Sequence, residues 1–407
     1  MSTEYDCIVI GAGPAGCTFA LMAARKGLSV LLLERHKLPR SKDCGDFISS
    51  PAIGVLRSLG VLDELLLAPF TRVNSILFHA PDGEQLTVPL IKFAEDDPVS
   101  GVICRRVIFD DVLQQAARSE CDLRDWCRVT EILQEDGRAF GVRADYGGGR
   151  MLTATARLLV GADGADSILG RAMGLPRYTD FRNLAVQAYY RQVLGTQGCI
   201  EAHFPESVLP GYLWLHPTES GQTNVGLSIP IAAVKDRKLK PKHLLGEALQ
   251  SPQLRDRFEF AELDDPPRVS ELPVANTLRE VHGEGFVLLG DAAGLVHPCN
   301  AIGIANSMRS AAVAAGVAEE VLVGENALAT ADALGKYPYR LWKELGPHID
   351  LAGRLLGLRT PQAIGSLLRS ARRRPKNAAW ISAVLLGSAV PSEDMDSFLS
   401  YLNFFSR

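Results

Sequence analysis

Residues 42–51 read KDCGDFISSP and place Cys44 and Asp46 either side of Gly45, in a loop that follows a glycine-rich turn. An isolated thiol ionises at about pH 8.5, and its thiolate fraction rises only beside positive charge or a helix N-terminus. Lys42 is close in sequence, and the pattern predicts a helix starting near Pro51. Asp46 is the competing acid if burial raises its pKa. Cysteine is also among the most often buried residue types, so a packing role for Cys44 stands beside the chemical one.

The segment before this loop must position it. DCIVIGAGPAGCTFALMAARKGLSVLLLERH predicts a strand over Cys7–Ile10, a helix over Ala15–Lys26 stopped by Gly27, and a strand over Ser29–Leu33. In such a βαβ unit Gly11 permits the tight turn, Gly13 lets backbone approach a pyrophosphate, and Gly16 lets helix and strand pack closely. The helix N-terminus favours the anion. Glu34 ends the second strand, where an acid accepts hydrogen bonds from ribose hydroxyls and repels a 2'-phosphate. FAD or NAD fits this turn, and NADP fits it poorly.

Two later stretches repeat the theme. LLVGADGADSILGR (158–171) and GFVLLGDAAGLVHPCNAIGIANSMRSAA (285–312) each run from an apolar strand into a small-residue turn carrying an aspartate. Asp291 stands at a strand's carboxyl end, where a short acid can bond a ribitol hydroxyl. Together, GAGPAG, GADGADS and GDAAG resemble the FAD-dependent oxidoreductases built on the p-hydroxybenzoate hydroxylase plan, over roughly residues 5–320. The resemblance implies FAD as cofactor, with Asp291 on its ribitol or pyrophosphate and Gly290 and Gly303 in the same neighbourhood. It also implies that Asp163 and Gly164 line the turn many members use for NAD(P)H. Arg106, in CRRVIFDDVL, matches an arginine these enzymes place before a helix near the flavin; its alternative is a surface arginine at a helix start.

Gly294 stands where the hydroxylases of that plan usually carry histidine. The geranylgeranyl reductase branch has the glycine and also a CGD loop followed by proline and a helix, similar to Lys42, Cys44, Gly45, Asp46 and Pro51 here. PGYLWLHPTESGQTNVGLSIP (210–230) resembles that branch's aromatic motif at Tyr212, Trp214, Pro217, Asn224 and Gly226. Physically it is two alternating strands joined by TESGQ, so Tyr212 and Trp214 share a face. They either line a slot for a long apolar substrate or pack as ordinary sheet-core aromatics. This branch implies reduction of an isolated C=C bond in a bulky apolar substrate, with Cys44 or Asp46 as proton donor.

Departures keep other readings open. Ala301 and Ile302 occupy positions where the reductases usually carry a glycine and an acid, so an FAD-dependent monooxygenase of secondary metabolism is the alternative. Flavin-dependent halogenases share the glycine after GDAA and a WxWxIP strand. Here Tyr212 and His216 replace the first Trp and the Ile, and no lysine lies between Phe78 and Ile91. A non-catalytic flavoprotein is the remaining class. The external reductant, whether NAD(P)H, ferredoxin or a separate flavin reductase, is left unspecified.

The bulk properties agree with an enzyme of this kind. A chain of 407 residues, 47% hydrophobic, can bury a large core, and a net charge of -4 without a long basic block argues against nucleic acid as partner. The cluster ARRRPK (371–376) reads as a solvated helix end. Eight scattered cysteines without a CxxC pair predict no metal site and a reduced, cytoplasmic setting. No cleavable export signal precedes the first strand. The longest near-apolar run, 378–390, is shorter than the roughly 20 residues of a bilayer span, which leaves a buried helix or peripheral membrane contact.

The expected architecture is α/β: a Rossmann-like FAD-binding domain (1–70, 100–175 and 275–325) interleaved with an antiparallel substrate sheet (71–99 and 176–274). The Asp82-Gly83 turn predicts a hairpin in that sheet. A C-terminal helical cap (326–407) is expected to break at Pro347, Pro361, Pro375 and Pro391.

Overall fold

The computed structural model describes residues 3–176, 182–196, 198–275, 279–324, 327–356 and 360–374, with 378, 381 and 383. Its first sheet has the order His282–Gly283, Phe286–Leu288, Met151–Gly161, Thr3–Ile10, Val30–Leu33, Asp122–Arg124, and the hairpin of Arg128–Glu135 with Arg138–Asp145 hangs from the long third strand. Its central pairings are parallel. The first strand begins at Thr3 rather than Cys7, because its polar start pairs in register with Ala154–Ala156. Helix Pro14–Arg25 follows the glycine turn and packs on helix Ile304–Val321, burying Phe19, Leu21 and Ala315 in the main core.

The second sheet orders Glu262–Leu263, Arg182–Arg191, Thr223–Pro230, Tyr212–Pro217, Ile200–His203, Ser75–His79 and Gln85–Pro89, with Arg268–Pro273 also on Arg182–Arg191. Alternation splits it into two faces. Leu213, Leu215, Val225 and Leu227 pack under Leu244, Leu245 and Ala248 of helix Pro241–Leu249. Phe78, Ala202, Tyr212 and Trp214 form a separate apolar cluster on the other side. The Asp82-Gly83 turn closes the hairpin at this sheet's edge.

A three-stranded sheet couples the two larger ones: Phe47–Ser49 and Thr71–Arg72 flank Gly101–Ile103. Ile48 and Val102 point into the main core, while Phe47 and Ile103 join Ile200 of the second sheet. The loop of Cys44 enters this small sheet directly, so its position is set by both cores at once.

The C-terminal helices divide between the two cores. Helix Lys336–Leu356 buries Tyr337, Leu341, Leu345 and Ile349 in the main core, and the Tyr337 hydroxyl donates to the Leu288 carbonyl at 2.8 Å. Pro347 does not break it: the helix runs through that residue, held by Leu345 and Ile349 buried on either side. Tertiary packing here outweighs the missing N–H. Helix Pro361–Arg373 does start at its proline, capped by Thr360, and sets Ile364, Leu368 and Ala371 against the second sheet's cluster. Pro375, Pro391 and most of 378–390 lie outside the described residues. Among the described residues no helix is long and apolar enough to cross a membrane.

Candidate cofactor and substrate site

A groove of about 660 Å³ runs along the carboxyl ends of the parallel strands, bordered by Gly11, Gly13, Glu34, Asp163, Gly164 and Asp291. Gly11 has φ +104°, and a side chain there would run into the Ala162 carbonyl. Gly16 packs so tightly on the Gly11 carbonyl that no Cβ fits, whereas a Cβ at Gly13 would meet only Arg40 Nη2, at 3.7 Å. Helix Pro14–Arg25 has no side-chain cap, so its first amides are left for an anion. Helix Ile304–Val321, N-capped by Gly303 without a side-chain bond, is the second such terminus.

The acids are spread along the groove, one after each of three parallel strands. Glu34 is buried, accepts from Ala12 N at 3.2 Å and His36 N at 3.0 Å, and pairs with Arg40 at 3.2 Å. Arg40 continues to Asp110 at 2.8 Å. Asp163 accepts from Ile168 N at 2.6 Å, and burial raises its pKa. Asp291 follows strand Phe286–Leu288, lies 3.4 Å from Lys42 Nζ, and would be 3.2 Å from a Cβ at Gly303. Gly290 N donates to Ser310 Oγ at 3.1 Å. Uncapped helix termini for a pyrophosphate, between carboxylates for sugar hydroxyls, fit a flavin dinucleotide.

At the inner end of the groove a cavity of about 110 Å³ is bordered by Cys44, Gly45, Arg106, Trp214, Asp291 and Gly303. Cys44 is half-buried because this cavity reaches it. Burial pushes its thiol pKa up, while a hydrogen bond and the charge of Arg106 oppose that shift. Arg106 opens helix Arg106–Glu120 but is not a surface residue: it is 4% exposed and forms a double hydrogen bond to Asp110 at 2.7 and 2.8 Å.

Asp46 sits behind the loop, not on the cavity. Its φ is +61°, its side chain is fully buried, and it accepts from Tyr189 Oη at 2.5 Å, Asn224 Nδ2 at 2.7 Å and Arg106 N at 3.2 Å. Burial raises its pKa to about 6 against those three bonds. Asn224 also donates to the Cys44 carbonyl at 2.7 Å and accepts from Trp214 Nε1 at 2.9 Å. His216 Nδ1 meets the Gly45 carbonyl at 2.5 Å. The motif around Asn224 was visible in sequence, but the pinning roles of Asn224, Tyr189 and His216 were not, since each bond spans more than 140 residues.

Past Tyr212, Trp214 and His216 opens an apolar chamber of about 120 Å³, walled by Phe78, Ile200, Ala202 and, from the last described helix, Ile364, Leu367 and Leu368. Tyr212 and Trp214 do share the chamber face, their rings 6.0 Å apart, and the Tyr212 hydroxyl donates to the Asn300 carbonyl. Ala301, with φ +55°, and Ile302 border the inner cavity. The helix 361–373 contribution had no sequence signal beyond amphipathicity.

Among the described residues, one cluster has metal-ligand types. The ligand atoms of His79, Glu201 and His203 lie within 4.8 Å of one another, and Glu201 also borders the apolar chamber. Arg257 already holds both Glu201 oxygens at 2.6 and 2.7 Å, and His203 adds a bond at 2.8 Å, so a cation would have to displace an arginine.

Comparison with known proteins agrees with this geometry. The family model described as FAD binding domain matches residues 4–335. A digeranylgeranylglycerophospholipid reductase of Methanopyrus kandleri is 28% identical, over 84% of this chain and 83% of its own. A menaquinone reductase of Mycolicibacterium smegmatis is 27% identical, over 97% of this chain and 94% of its own. Among solved structures, a geranylgeranyl bacteriochlorophyll reductase-like protein from Thermoplasma acidophilum shares the fold at TM-score 0.77 and 20% identity, covering 94% of this chain and all of its own. A flavin-dependent brominase does so at 0.79 and 20%, covering 99% of this chain and all of its own. The chain belongs to the FAD-binding-domain family and is an FAD-dependent oxidoreductase.

Proposed function

We propose that this enzyme reduces an isolated C=C bond in a bulky apolar substrate, with Cys44 as proton donor. The observation that carries the reading is the placement of Cys44 on the inner cavity, between the cofactor groove and the apolar chamber. FAD, when bound, supplies the electron pair for the reduction. The chain's own groups do the rest. The chamber excludes water and orients the alkene; the Cys44 thiol, kept protonated by burial, gives its proton to the carbon that does not take the hydride equivalent. Arg106 then stabilises the thiolate left behind until it is reprotonated from solvent. Asp46 positions the loop from behind rather than donating.

The names of the two relatives support a lipid or quinone-tail substrate. With it go the interleaved division into a cofactor domain, a substrate sheet and a C-terminal helical region, a cytoplasmic setting with peripheral membrane contact, and a separate electron donor to the cofactor. The test is turnover by dithionite-reduced holoenzyme with a digeranylgeranyl lipid, which has no quinone ring to take up the electrons, in the absence of oxygen, followed by mass spectrometry. Gain of two hydrogens without oxygen is expected, and Cys44→Ser slows single turnover about 10²-fold while retaining FAD. Product formed only in air, with one oxygen atom added, assigns a monooxygenase instead.

A further inference from the structure

Strand Tyr212–Pro217 turns three rings toward the chamber, and two of them spend their polar atoms inside the protein. The Tyr212 hydroxyl donates to the Asn300 carbonyl, and the Trp214 indole donates to Asn224 Oδ1 at 2.9 Å. His216 differs. Its Nδ1 lies 2.5 Å from the Gly45 carbonyl, which only accepts, so Nδ1 carries the ring proton. Burial pushes the imidazole down to about 4, against the pull of that carbonyl, so the ring is neutral. Nε2 is then a lone-pair acceptor.

The ring cannot easily turn its other edge to the chamber. Trp214 lies 6.1 Å from it on one side and Phe47 6.0 Å on another, while the loop backbone at Gly45 comes close enough that a Cβ there would sit 3.3 Å from the imidazole. His216 borders both the inner cavity and the apolar chamber, at the neck where a substrate would pass toward the cofactor. Among the described residues the one hydrogen bond of the ring is that of Nδ1 with the Gly45 carbonyl, and none is made to Nε2.

We propose that His216 Nε2 accepts a hydrogen bond from the substrate, which is therefore an apolar molecule bearing a hydroxyl or N–H donor close to the reacting carbons. The inference rests on the apolar-substrate reading above and narrows it. An acceptor at an apolar neck gains nothing from a pure hydrocarbon, which strips its water and returns no bond. A donor-bearing substrate restores the bond and is selected over an analogue of equal shape that lacks it.

The test uses oxidised holoenzyme and two probes, geranylgeraniol and its methyl ether, with binding followed by the visible difference spectrum of the cofactor. The alcohol donates; the ether only accepts. The alcohol is expected to bind about tenfold tighter or more to the native enzyme. In His216→Phe, checked for full FAD content, the two affinities converge to within about twofold. Equal binding of both probes by the native enzyme overturns the inference and leaves the apolar substrate intact, as does a preference that survives in His216→Phe. Should His216→Phe lose FAD, the comparison is made in the smaller His216→Leu, and a preference for the alcohol that survives there overturns the inference equally. Failure of both probes to bind rejects the isoprenoid-like substrate itself, and this inference with it.

Discussion

Asn224 Nδ2 stands 2.7 Å from Asp46 Oδ2, and through it the second sheet grips the back of the loop whose front carries Cys44. Asn224 is fully buried and also bonds the Cys44 carbonyl and the Trp214 indole. Asn224→Leu takes this partner from the Cys44 carbonyl and the Trp214 indole, at about 1–3 kcal/mol each, while Asp46 keeps Tyr189 and Arg106. The expected outcome is a loss of about 2–5 kcal/mol in urea unfolding, with single turnover slowed more than FAD affinity. A stability change under about 1 kcal/mol would mean the loop does not depend on this pin.

The proton source is separable by pH. Burial holds Asp46 at about 6, and pushes the Cys44 thiol above its ordinary value. With Cys44 as donor the acid form is fully populated at neutrality, so single-turnover rates should be level from about pH 5 to about pH 8 and fall only in the alkaline range. With Asp46 as donor the rate would drop about tenfold per unit above pH 6. Stopped-flow oxidation of the reduced cofactor by substrate reads the difference.

Asp46 also leaves a signature in stability. The folded carboxyl keeps its proton to about 6, whereas the unfolded reference releases it at 3.8. Between those values the native state binds more protons, so this group's contribution falls as pH rises from about 4 to about 6 and is level above. The gap of about two units corresponds to about 3 kcal/mol. Relative to the parent, Asp46→Asn should gain up to about that much between pH 4 and pH 6.5 in urea titrations. A constant difference across the window would show that Asp46 does not titrate there.

Gly294, the residue that separates this chain from GDAAH sequences, has φ +68°, and the Arg279 guanidinium occupies the space a Cβ would need. Gly294→Ala is expected to destabilise by about 2 kcal/mol or more, from left-handed backbone and displaced arginine together. Arg279→Ala should recover the second part but not the first. Additive effects in the double-mutant cycle, measured by thermal unfolding of the holoenzyme, would show that the two residues do not compete for this space.

Leu368 closes the far wall of the chamber and is 3% exposed. Leu368→Trp should shorten the chamber, cutting affinity for geranylgeraniol by about tenfold while sparing geraniol. Overpacking costs about 1–3 kcal/mol in stability, so the readout is the ratio between the two probes. An unchanged ratio places the substrate tail elsewhere.

The sequence by itself determined the cofactor half of this protein. A glycine turn, the acid ending the next strand and the two later aspartate turns act through local backbone geometry, and local geometry is what spacing encodes. It also determined which strand carries Tyr212 and Trp214 on one face, since a period of two is a property of any strand. The tertiary structure alone decided the rest. Asp46 lies behind the loop and Cys44 on the cavity because Tyr189, Asn224 and His216, all more than 140 residues away, fix the loop's rotation. Arg106 is buried against Asp110 rather than solvated at its helix start, because the small sheet and both cores enclose that helix end. Pro347 remains inside a helix because the side chains flanking it are buried in the main core, and no local rule for proline records what a helix packs against.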